Sequence, residues 1–185
     1  MEGEMKVSDI YMMTRRHQIK HRCGAYVFDD GDRLSMLMKK LQPKRILELG
    51  CAIGYTAACM ATGAPGATVH TIEMDPTHVE IARKNFEEMG LSDRVFVYPG
   101  KFEDVMRTVP DQVYDVAFFD GFSPTVELVA AMRRTLRPGG VLICANVMLS
   151  FGADRLALHR EFNDEARWRL LATLENGGTL AMEKM

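Results

Sequence analysis

Apolar runs of strand length alternate along most of the chain with segments whose apolar residues recur every three or four positions. The first run, RILEL at 45–49, follows a helical pattern of Leu34, Leu37, Met38 and Leu41 that Pro43 closes. TVHTIE at 68–73 leads into Asp75-Pro76, an N-cap with proline at the first helical position. Val79, Ala82, Phe86 and Met89 then share one helix face, and Gly90 stands where a left-handed cap would end it. RVFVYPG at 94–100, YDVAFFD at 114–120 and VLICANV at 141–147 are the third to fifth strands, with a short helix around 103–109 after the third. Ser123-Pro124 repeats the cap signal before a helix carrying Val126, Val129, Ala130 and Leu136. A last helix over about 153–167 precedes WRLLATLE and TLAMEKM, which flank the hairpin turn Asn176-Gly177-Gly178. This order predicts a single α/β domain over 1–185, a doubly wound parallel sheet with one reversed edge contributed by the hairpin.

In such sheets ligands gather at the carboxyl ends of the central strands, which directs attention to ELGCAIGYT at 48–56. Gly50 lets the backbone turn tightly and approach a ligand, and Gly54 lets the next helix start close to the sheet. A dinucleotide site has the spacing GxGxxG, with a helix N-terminus turned to the pyrophosphate. Here Ala52 stands at the middle glycine, and Glu48 precedes Gly50 by two residues. Glu73, 23 residues after Gly50, is placed to accept hydrogen bonds from ribose hydroxyls. Asp120 at the tip of the fourth strand adds a third acid to the same crevice. Three carboxylates disfavour pyrophosphate and suit a ligand with ammonium or sulfonium charge, such as S-adenosylmethionine. Glu48 has a second reading, in which it orients the glycine loop by accepting backbone N–H groups.

Composition narrows the class. Lysine and arginine number 23 against 25 acids, interspersed, for a net charge of -2, so no electrostatic footprint for nucleic acid or an anionic membrane is present. Cys23, Cys51, Cys59 and Cys144 form no CxxC pair, which fits a reducing cytoplasm. No apolar stretch approaches the roughly 18 residues that cross a bilayer. Residues 1–23 read as an amphipathic helical segment whose basic residues are a solvated face or a lid over the acceptor pocket.

ILELGCAIGYT, TIEMDP, YPGKFEDV, FFDG, LRPGGVLICANV and the final hairpin, in this order, resemble the catechol and caffeoyl-CoA O-methyltransferase family of class I S-adenosylmethionine enzymes over about residues 24–185. The resemblance implies a Rossmann-like methyltransferase fold and O-methylation of a small-molecule acceptor. It places Glu48, Gly50, Ala52, Tyr55 and Thr56 around the methionine moiety, Glu73 and Met74 at the ribose, and Gly100, Lys101, Phe102 and Phe122 near the adenine. Asp120 lies at the methionine end and, with Asn146, is the catalytic candidate; Tyr26 helps cover the donor. A homodimer is also implied.

Three departures alter the expected chemistry. The family's cation-binding Asp-Asn pair after the fifth strand is Ala145-Asn146, its catalytic lysine is absent from DGFSPT, and the acid after the hairpin turn is Leu180. Asp120 and Asn146 are a poor cage for a hard cation, which needs several oxygen ligands, so no metal residues are assigned and transfer is expected to need a divalent cation weakly or not at all. An in-line displacement requires mainly a held and desolvated nucleophile. His17, His21 and His159, in segments able to cover the acceptor, are candidate bases; His70 and His78 read as structural or solvated. An NAD-linked oxidoreductase and a catalytically reduced donor-binding protein remain as alternatives.

Overall fold

The computed structural model describes residues 5–21 and 27–185. After helices α1 (Val7–His21) and α2 (Gly31–Leu41), strands β1 (Arg45–Leu49), β2 (Thr68–Glu73), β3 (Val95–Pro99), β4 (Tyr114–Phe119) and β5 (Leu136–Cys144) alternate with helices. These are α3 (Tyr55–Gly63), α4 (Pro76–Glu88), α5 (Phe102–Met106) and α6 (Val126–Thr135). Helix α7 (Gly152–Phe162), β6 (Trp168–Leu174) and β7 (Thr179–Lys184) complete the chain.

One seven-stranded sheet has the order β3-β2-β1-β4-β5-β7-β6. Strands β1 to β5 pair in parallel, and β7 runs antiparallel to both β5 and β6. The expected α/β class holds, but the reversed strand is not at the edge: β7 lies inside, and β6 forms the rim.

Successive side chains of a strand point to opposite faces, and the core divides accordingly. Ile46, Val69, Val116, Phe118, Val141 and Ile143 pack under α2, α3 and α4. Leu47, Leu49, Ile72, Ala117, Phe119 and Leu142 pack with Met132, Leu158, Phe162 and Trp168 on the other side. Burial on both faces explains why the central strands read as nearly continuous apolar runs.

The capping signals hold with two changes. Asp75 accepts from the backbone N–H groups of Thr77 and His78 at 2.8 and 3.3 Å, as expected at the start of α4. At α6, however, Thr125 is the cap, accepting from Leu128 N–H at 3.2 Å, while Ser123 Oγ lies 3.0 Å from Ser150 Oγ. Helix α7 stops at Phe162, five residues short of expectation, because Asp164 Oδ1 accepts from Ala166 N–H and opens a turn. Among the described residues no helix is long and apolar enough to cross a membrane.

Candidate functional site

The sheet reverses its winding between β1 and β4, and the carboxyl ends of β1, β2 and β4 meet there. Gly50 N–H donates to Ile72 O at 3.1 Å, and Asp120 N–H donates to Leu49 O at 2.8 Å. Gly50 has φ +103°, and a Cβ there would lie 2.5 Å from the Asp120 carbonyl oxygen. The glycine is therefore demanded by the neighbouring strand end. Gly54, at φ +101°, is needed against the Phe86 ring of α4, 2.7 Å from its would-be Cβ, and not against the sheet.

Glu73 is held by two backbone donors. Its Oε2 accepts from Ala52 N–H at 2.8 Å and its Oε1 from Asp75 N–H at 2.9 Å, with His78 Nδ1 3.8 Å from Oε1. Burial would raise this carboxyl, but neighbouring His78 and the two backbone donors outweigh it and hold the pKa below the usual value. Each oxygen keeps a second lone pair.

Glu48 behaves differently. It is fully buried, accepting from Thr56 Oγ1 at 2.6 Å and Thr71 Oγ1 at 2.5 Å. Burial pushes its pKa up to about 7, against the pull of the two hydroxyls. Glu48 and Thr56 thus face each other at the inner wall of the crevice. The partners are threonine hydroxyls, not the backbone N–H groups of the alternative reading.

Asp120 is half-buried, and among the described residues no group hydrogen-bonds its carboxylate. Burial, then the charges of Glu48 and Glu175, push its pKa well above the ordinary value. Glu175, in the turn before β7, was not singled out by motif. Its oxygens accept from Asp29 N–H and Thr179 Oγ1, which hold the side chain in place.

Of the remaining residues expected here, Tyr55 begins α3 under the Tyr11 ring of α1, their centroids 5.1 Å apart. Phe102 packs edge-on to Phe119, Gly100 N–H donates to Glu73 O, and Met74, Lys101 and Phe122 are exposed. Asn146 is buried and donates to Gly121 O at 2.7 Å, leaving its Oδ1. The Ala145 side chain offers no oxygen, so of the expected set only the side chains of Asp120 and Asn146 remain where a hard cation would need several ligands. Tyr26 and Cys23 lie outside the described residues.

Beyond the end of β5, Val147, Met148, Leu158, Phe162, Leu180 and His159 are among the residues lining a cleft of about 320 Å³. His159 is on the wall of this cleft. His70 Nδ1 is 2.8 Å from Tyr114 Oη, as suits a structural residue. The rings of His17 and His21 pack on His78, next to Glu73. The HxxxH spacing in HQIKH, which puts both histidines on one face of α1, was the available signal.

A model described as a methyltransferase domain matches residues 47–147. Catechol O-methyltransferase of Mycobacterium tuberculosis is 33% identical over 139 residues, covering 70% of this chain and 63% of that protein. Catechol O-methyltransferase of Niastella koreensis is 32% identical over 125 residues, or 65% and 57% of the two chains. The chain thus spans less than two thirds of the length of either relative. In fold, the O-methyltransferase from Bacillus cereus in complex with SAH superimposes with a TM-score of 0.80 at 22% identity, over 97% of this chain and 90% of that one.

Proposed function

The chain belongs to the methyltransferase domain family, and from that premise we propose that it transfers a methyl group from S-adenosylmethionine to an oxygen of a small apolar acceptor without a resident divalent cation. The observation that carries this reading is Asp120, an unpartnered carboxyl facing two other acids in a crevice short of positive charge. A cationic ligand relieves that repulsion, and a pyrophosphate adds to it. When bound, the donor supplies a methyl group on a positively charged sulfur.

The chain's own residues provide positioning. Glu73, held by Ala52 and Asp75, accepts the ribose hydroxyls with its free lone pairs. Asp120 takes the ammonium end, while the glycine turn and Tyr55 shape the methionine pocket. Gly100, Lys101 and Phe102 border the adenine; Met74 and Phe122, exposed here, close over the donor from the rim. Asn146, fixed to Gly121, offers Oδ1 toward the reacting oxygen. The apolar cleft beyond Leu180 receives the acceptor, and His159 stands on its wall to take the proton of a hydroxyl that is still protonated. No such step is needed for an acceptor already ionised.

Calorimetry with S-adenosylmethionine, its demethylated product and NAD, each with EDTA and with Mg²⁺, tests the reading. Donor and product should bind equally in both media, and NAD should not bind. Capture of NAD alone would overturn it. Donor binding without transfer to any of a broad phenol panel would favour a donor-binding protein, the reading that Ala145 and Leu180 support.

A further inference from the structure

His17, His21 and His78 converge outside the crevice, where α1 crosses the start of α4. His17 and His21, four residues apart, project from one face of α1, their ring centroids separated by 4.8 Å. His78, in the first turn of α4, completes a triangle with centroids 5.0 Å from His17 and 5.3 Å from His21. One ring nitrogen from each lies within 4.8 Å of the other two, the one such grouping of three or more His, Cys, Asp or Glu among the described residues.

Nε2 of His17 and Nε2 of His78 are buried without a hydrogen-bond partner among the described residues, and His78 as a whole is only 5% exposed. Two unsatisfied imidazole nitrogens packed together are costly, and helix packing alone does not require polar rings at these positions. On its other side, His78 Nδ1 faces Glu73 Oε1 at 3.8 Å. A carboxylate there favours the proton on Nδ1 and leaves the Nε2 lone pair free, the arrangement found behind metal-bound histidines. Asp75, whose Oδ1 caps α4, adds a second negative charge to balance a cation.

The geometry points to a site for a divalent transition metal of the zinc type, formed by His17, His21 and His78, with a water or Asp75 in the fourth position. Three imidazoles suit Zn²⁺, Co²⁺, Ni²⁺ or Cu²⁺ and not the oxygen-seeking Mg²⁺ or Ca²⁺. A tetrahedral centre with bonds of about 2.0–2.1 Å would draw the nitrogens to about 3.4 Å apart. His21 is exposed and His17 half-buried, so both can rotate that far. The ion would fasten α1 to α4 beside Glu73 and would take no part in the chemistry at Asp120. This site is independent of the methyl-donor reading: zinc binding in a protein that ignores S-adenosylmethionine would leave it standing.

The test uses the full chain without an affinity tag, stripped with chelator and titrated with Zn²⁺, with Co²⁺ as a spectroscopic probe. One ion per chain is expected, with the intense visible bands of tetrahedral Co²⁺ and slower amide exchange in α1. His21→Gln, at an exposed position where folding is safe, and His78→Gln should each weaken Zn²⁺ binding by at least about 100-fold, the upper range for loss of a supporting partner alone. Absence of saturable binding in the parent protein overturns the proposal. So does unchanged affinity in His21→Gln, and so does unchanged affinity in a folded His78→Gln, which would reduce the site to a surface pair on α1.

Discussion

The crevice at the ends of β1 and β2 and the edge beyond β5 and β7 are built on opposite plans. In the crevice, backbone and side chains are tied together: Glu73 to Ala52 and Asp75, Glu48 to Thr56 and Thr71, Gly50 to the Ile72 carbonyl. At the edge, Val147, Met148, Leu158, Phe162 and Leu180 are among the residues lining an apolar cleft of about 320 Å³. The contrast teaches that one sheet can carry a hydrogen-bonded polar crevice and an apolar cleft side by side, which on the proposed function separates recognition of a charged donor from accommodation of a greasy acceptor. Orientation is specified by hydrogen bonds at one end and left to shape at the other.

The strongest way to break this contrast is Gly50→Ala. The new Cβ meets the Asp120 carbonyl and demands a positive φ, so a loss of about 3 kcal/mol or more is expected in chemical denaturation, with donor binding lost. Glu73→Gln comes next. Replacing one acceptor oxygen by an amide donor opposite an N–H should weaken donor binding by about 30-fold, near 2 kcal/mol, by calorimetry, with a smaller effect on melting.

Glu48→Gln sharpens the distinction between wiring and ligand contact. Because the folded pKa, about 7, lies above the unfolded 4.5, the native state holds the extra proton between those values. Stability contributed by Glu48 is therefore greatest below about pH 4.5 and falls as pH rises to about 7. The glutamine variant should flatten that slope and gain on the order of 2 kcal/mol at pH 8, and, by removing one of the two acids that face Asp120, weaken donor binding less than Glu73→Gln does. An unaltered slope in denaturation midpoints across pH 5–8 would place the titration elsewhere. The smallest effect is expected at the edge: Leu180→Asp should cost about 1 kcal/mol or less in stability, since the side chain is only partly buried, while raising KM for an apolar acceptor. A large change in donor affinity from that variant would show that the two ends are not separate.

Much of this was legible from local pattern. Asp75-Pro76 and Gly90 bracket α4 as their chemistry requires, and the acids ending β2 and β4 lie at the crevice as the strand ends predicted. What escaped is what depends on register and packing across elements. Glu48 stands opposite Thr71 because β1 and β2 pair in that register, and nothing local to either strand announces it. That pairing gives the Glu48 carboxylate an internal hydroxyl partner. Asp120 and Glu175 meet through the turn before β7, whose place inside the sheet is a matter of topology, not periodicity. The spacing of His17 and His21 could be read on α1, but His78 comes from a helix that joins them only in the folded chain.

The placement of β7 has a consequence for biosynthesis. It is made after every strand it separates, so until residues 179–184 leave the ribosome the outer flank of β5 is open and β6 has no neighbour. Nascent or truncated chains that stop short of this segment therefore display an apolar, unpaired rim, the feature that invites chains to stick to one another and that chaperones recognise.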